Sequence, residues 1–223
     1  MSIIQGIHIC SLYKDCIQRS IPFDISLVTD HNIQSFDSSL LTLLHYAVMF
    51  RDISLVQFIS ERMLEKNISV DVHGIMSRTP LFFSSDPDVS ILLITNGADV
   101  NHTDNEGNTP LHCVFERFIN QLQDEEGEER ENCDFSLFYK NVKVFLWNGA
   151  SPLSLNQQQV SPKDLYKTLF PNELNDGEDD EIREMMNADS NELSDISDIT
   201  DMTSDRQSDL FSSVESLDRQ EGN

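Results

Sequence analysis

Basic residues are scarce in this chain. Fifteen Lys and Arg stand against 39 Asp and Glu over 223 residues, a formal charge of −24. Binding to a nucleic-acid backbone needs clustered Lys and Arg, so nucleic acid is excluded as a partner. Long apolar runs are missing as well. No stretch approaches the roughly 18 consecutive apolar residues of a membrane span, and no membrane partner is expected. The opening residues, M-S-I-I-Q-G-I-H-I-C, lack a basic leader and a small-residue cleavage site, so no export is expected. Cysteine is sparse and irregularly spaced, at Cys10, Cys16, Cys113 and Cys133. That pattern fits reduced thiols of a cytoplasmic or nuclear protein rather than a disulfide frame. Motifs that carry chemistry are also absent: there is no nucleophile elbow, phosphate-binding glycine loop, H-E-x-x-H or paired C-x-x-C. Neither enzyme activity nor a cofactor or metal is expected.

The acids that are present lie in two blocks. Asp124 to Asp134 carries seven acids against Arg130, and Pro171 to Asn223 carries 17 against Arg183, Arg206 and Arg219, together −20 of the −24. The remainder is near neutral, as expected of a packed domain with acidic appendages. The first block lacks the alternating ligands and fixed glycine of a calcium loop. Beyond Pro171 the chain is acidic and Ser-rich with few aromatics, a composition that predicts a disordered tail over 171–223.

The most informative stretch runs from Asn96 to His112, N-G-A-D-V-N-H-T-D-N-E-G-N-T-P-L-H. Gly97 fits the left-handed position just past a helix end, Asp104 and Gly107 make a polar turn, and Thr109-Pro110 opens the next helix. The pairing resembles the ankyrin-repeat family, whose T-P-L-H-x-A helix start recurs about every 33 residues. The resemblance implies an all-α solenoid of helix-turn-helix units. It also gives His45 and His112 a structural part, hydrogen-bonding the Thr hydroxyl and backbone between adjacent units.

Residues 1–40 are read as a degenerate N-terminal capping repeat, with a helix over 9–17. Residues 41–170 hold the repeats. The first begins at Thr42-Leu43-Leu44-His45, with Asp37 at the offset that Asp104 holds before Thr109. The second begins at Thr79-Pro80-Leu81, with Phe82 in place of the family histidine. Only 18 residues separate Thr79 from Gly97, about three too few, which predicts a first helix clipped to a turn and a half. The third begins at Thr109-Pro110-Leu111-His112 and carries an acidic insertion at about 120–135, which a solenoid tolerates because loop closure grows slowly with length. A C-terminal cap at about 158–170 includes Ser161-Pro162.

Stacked units of this kind engage partners along a concave surface. The hairpin-tip candidates for partner binding are His73, Ile75, Met76, His102, Asn105 and Glu106. Met49, Phe50 and Phe118 join them, being apolar where a first helix ordinarily ends in polar residues or glycine. By resemblance, Asn101 stands where an asparaginyl hydroxylase modifies such hairpins, with Leu93 upstream of it. In the tail, Ser194 and Ser197 are acid-flanked kinase candidates. The segment Asp189 to Ser194 resembles a D-S-G-x-x-S degron through Ser190 and Ser194, with Asn191 in place of glycine.

These features point to a non-catalytic, monomeric adaptor or inhibitor with an acidic regulatory tail, engaging protein partners and favouring a basic surface. Two alternatives stand beside it. One is an acidic transcriptional regulator, similar in layout to cytoplasmic inhibitors of Rel-type factors, whose tail engages a basic surface or coactivator. The other is a microbial or viral ankyrin effector acting on host proteins.

Overall fold

Thr42, Thr79 and Ser161 hold extended backbone immediately before a helical turn. Pro80, Pro110 and Pro162 each occupy the first helical position, where the missing N–H is no loss. The resulting fold, a computed structural model that describes residues 8–124, 135–170 and 180–187, has eight helices and no strand among those residues. In order they are α1 (Ile9–Gln18), α2 (Leu43–Met49), α3 (Ile53–Glu65), α4 (Pro87–Thr95), α5 (Pro110–Asp124), α6 (Phe135–Trp147), α7 (Pro162–Leu169) and α8 (Asp180–Asn187). A single 3-10 turn, Pro80–Phe83, stands where the first helix of the second unit belongs. The element is clipped about as the residue count expects, four residues long, but is 3-10 rather than α, because Asp86 caps α4 and Pro87 opens it only a few residues later.

α2 packs on α3 and α5 on α6, while the 3-10 turn lies between α2 and α5, and α4 between α3 and α6. Leu44, Ala47 and Val48 of α2, Leu55, Val56, Ile59 and Met63 of α3, Leu93 of α4, Leu111 and Phe115 of α5, and Val142 and Phe145 of α6 form one fully buried core. Each such side chain contributes about 1.5 to 3 kcal/mol of burial, which is how short helices of marginal intrinsic stability persist. At the N-terminal end α1 lies against α2. Tyr13 is buried, donates its hydroxyl to Asp52 at 3.0 Å and meets Phe23 edge-on.

α5 continues into the segment read as an insertion as far as Asp124, and residues 125–134 lie outside the described residues. One expectation is revised: part of the tail expected to be disordered is ordered, while residues 171–179 and 188–223 lie outside the described residues. Residues 180–187 form α8, whose Ile182 and Met186 are almost wholly buried in the core, while Glu181 pairs with Lys143 at 2.9 Å. One helical turn separates Ile182 from Met186, so both apolar groups share a face and offset the cost of ordering an acidic segment.

Candidate functional site

The hairpins are held by a repeated three-part connection. Thr42 N–H donates to His45 Nδ1 at 3.1 Å, the Thr42 hydroxyl lies 2.8 Å from the same nitrogen, and His45 Nε2 reaches the carbonyl of Arg78 at 3.2 Å. Thr109 and His112 repeat it, with His112 Nε2 at 3.1 Å from the carbonyl of Val160. Each imidazole caps its own helix and fastens the hairpin of the following unit. This geometry requires the neutral ring with its proton on Nε2, since Nδ1 accepts from a backbone N–H. Burial enforces neutrality, bringing His45 down to about 4 and lowering His112 from its ordinary value. In the last unit Asp164 takes the histidine's place, accepting from the Ser161 hydroxyl at 2.6 Å and the Ser161 N–H at 3.0 Å.

The second unit is the exception. Phe82 occupies the histidine position, and the buried Thr79 hydroxyl has no hydrogen-bond partner among the described residues. Other groups join this unit to the third. Arg78 pairs with Asp104 at 2.9 Å, Asn105 N–H donates to the Met76 carbonyl, and His102 Nε2 meets the Ser77 carbonyl at 3.0 Å. Asp104 also accepts from the N–H groups of Glu106 and Asn108; burial opposes its ionisation, but Arg78 and those donors hold its carboxyl below the usual range. The third and last hairpins meet through Gln157 N–H to the Glu106 carbonyl and Asn156 Nδ2 to Asn108 Oδ1. Gly107, at φ +79°, lies so close to this junction that a Cβ would sit 3.3 Å from Asn156 Cα. Gly74 is needed for a different reason: a Cβ there would come within 2.8 Å of His45 Nε2.

Of the tip candidates, His73, Ile75, Asn105 and Glu106 are exposed, while Met76 and His102 are half-buried. The rings of His73 and His102 lie 4.6 Å apart. Met49 and Phe50 are exposed at the end of α2, at 42% and 43%. Phe118 does not join them. It is buried, stacked on Phe138 at 4.0 Å and edge-on to Phe135, because α5 continues past it and α6 packs against its face. Asn101 staples two loops together, its Nδ2 donating to the Gly149 carbonyl and its Oδ1 accepting from Ser151 N–H, both at 2.8 Å. Ser190, Ser194 and Ser197 lie outside the described residues.

Arg51 and Arg117 were not singled out by the sequence. The clipped 3-10 turn leaves a cavity of about 280 Å³ lined by Arg51, Ser85, Arg117, Gln121, Phe118 and Asn141, among others. Arg117 reaches into the gap and donates to the carbonyls of Ser84 at 2.7 Å and Phe82 at 2.8 Å, satisfying the groups that the missing helical turn leaves bare. Among the described residues, no three or more His, Cys, Asp or Glu gather as metal ligands would, and no helix is long and apolar enough to cross a membrane.

No family model matches the chain. Over 116 residues, 50% of this chain, it is 31% identical to an ankyrin repeat protein of Acanthamoeba polyphaga mimivirus. The match takes in 14% of that protein, so the chain corresponds to a small part of its length. Over half its length the chain is thus similar to an ankyrin repeat protein, and its own structure opens helix pairs with recurring Thr-x-x-His caps.

Proposed function

We propose that the chain is a non-catalytic protein-interaction module, an adaptor or inhibitor that engages its partner along the surface formed by the hairpin tips and the ends of the first helices. The observation that carries this reading is the unbroken ladder of hairpins, bridged by His45 to Arg78, by Arg78 to Asp104 and by His112 to Val160. Such bridging holds side chains from separate units in fixed register without any ligand, so little ordering entropy is lost on binding. Met49, Phe50 and Ile75 supply exposed apolar area on that surface, and His73, Asn105 and Glu106 supply its polar rim.

The competing reading puts partner affinity in the acidic tail, acting as an inhibitor against a basic surface. A pull-down that compares residues 1–187 with residues 188–223 separates the two. The division falls after α8, because truncation at 170 would strip Ile182 and Met186 from the core. The module reading expects partner retention by 1–187, with loss of binding when Met49 and Phe50 are both changed to Ser. Retention by 188–223 alone, lost as salt screens the charges, would overturn it.

A further inference from the structure

The cavity beside the clipped turn holds two guanidinium groups in a chain that is overwhelmingly acidic. Among the described residues Arg51 is exposed and bonds only the Ser85 hydroxyl, Nε to Oγ at 3.2 Å; Arg117 is half-buried and spends two of its nitrogens on backbone carbonyls. Among the described residues neither has a carboxylate within ion-pair reach, although Arg62, Arg78 and Lys14 each have one. The two cations face the same cavity, and burial together with the charges of Arg51 and Arg78 makes the Arg117 cation less favourable than it is in water. A pair of like charges sharing one cleft without a counterion is stabilised by an anion placed between them.

Arg51 sits at φ +56° just past the end of α2, a conformation that glycine adopts freely and that raises the energy of other residues by about 1 kcal/mol. It shares this backbone conformation with Ser20 and Asn67, just past α1 and α3, so the helix ending accounts for its φ and leaves its side chain unexplained. Ending the helix therefore does not require arginine. The side chain's contribution lies in the cavity it lines.

We propose that this cavity receives a carboxylate from a protein partner, an aspartate or glutamate side chain set between Arg51 and Arg117 with an adjoining apolar residue against Met49 and Phe50. Guanidinium forks match the two oxygens of a carboxylate, and Gln121 and Asn141 add amide groups to the walls. Met49 and Phe50 directly precede Arg51 and are exposed; they do not line the cavity, the Phe50 ring packing on Tyr13 and Tyr46, so an apolar residue beside the acid would meet them outside it. Polyanions fit poorly, because the charge of −24 repels them. This inference rests on the reading of the hairpin tips and first-helix ends as a binding surface.

The test is an NMR titration of the full chain, following arginine Nε–H signals and backbone amides. Two capped tripeptides serve as probes, Phe-Glu-Leu and Phe-Gln-Leu. The Glu peptide is expected to shift the Arg51 and Arg117 Nε–H signals and the Gln peptide to leave them in place. Arg51→Gly is expected to weaken the Glu peptide about tenfold, the worth of a charge-assisted hydrogen bond, with thermal stability kept or raised. Equal response to both peptides at the amides of Met49 and Phe50, with silent guanidiniums, would overturn the carboxylate site and leave the reading of the hairpin-tip surface intact. No response to either peptide would overturn the site, while the pull-down with 1–187 still judges the broader reading. A variant with the seven acids of 124–134 changed to Gln or Asn guards against self-occupancy. Movement of both arginine signals in that variant without peptide would assign the cavity to the chain's own acids and overturn a partner's claim on it.

Discussion

The junction between the first and second units and the junction between the second and third perform the same task with different chemistry. In the first, one buried imidazole caps a helix and fastens the next hairpin. In the second, Phe82 has replaced that imidazole, leaving the Thr79 hydroxyl unpaired, and an ion pair between Arg78 and Asp104 joins the hairpins. The spacing of the stack is therefore set by backbone shape and apolar packing, and the polar fasteners are interchangeable devices laid over it. They differ in how they respond to protons and to loss of one partner.

Acid should separate them most. A neutral His45 is required in the fold, where burial holds it down to about 4 against about 6.5 in the unfolded chain. The unfolded state thus binds the proton first. Stability from this bridge is complete above pH 6.5 and is lost as pH falls towards 4, by on the order of 3 kcal/mol. Denaturant midpoints measured across that window should fall for the native chain and fall less for His45→Phe. Next in size, Arg78→Ala should destabilise by about 3 kcal/mol, because it strands the buried Asp104 carboxylate without its cation. His112→Phe, which copies the second unit's chemistry into the third, should lose about 2 kcal/mol as Thr109 N–H and the Val160 carbonyl lose partners. Smallest and most diagnostic is a pair of hydroxyl deletions read by urea denaturation. Thr42→Val should lose about 1 kcal/mol, whereas Thr79→Val should gain about as much, since only the first hydroxyl is hydrogen-bonded.

The repeats were legible because their constraints are local. Gly97 and Gly107 adopt positive φ, Pro80 and Pro110 open helical turns, and Thr109 with His112 forms a cap within four residues, all readable without a third dimension. The shortened second unit was legible as a residue count. What escaped depends on distant elements. Phe118 looks like an exposed apolar residue until α6 arrives to stack Phe138 on it. The composition of the tail hides α8, although the spacing of Ile182 and Met186 on one helical face was a signal that could have found it. Arg51 and Arg117 are 66 positions apart, and a charge sum of −24 gives no hint that two cations share a cleft. Asp164 looks like ordinary acid in a cap, yet it fills the place of the histidine.

The bridging imidazoles are the center of this account, and nitrogen-detected NMR of the histidine rings at neutral pH examines them directly. His45 and His112 should each show a single neutral form with the proton on Nε2, Nδ1 unprotonated, and the Nε2 proton protected from exchange with solvent. A mixture of tautomers, a proton on Nδ1, or rapid exchange at Nε2 would contradict the bridges to Arg78 and Val160, and with them the fixed register of the hairpins.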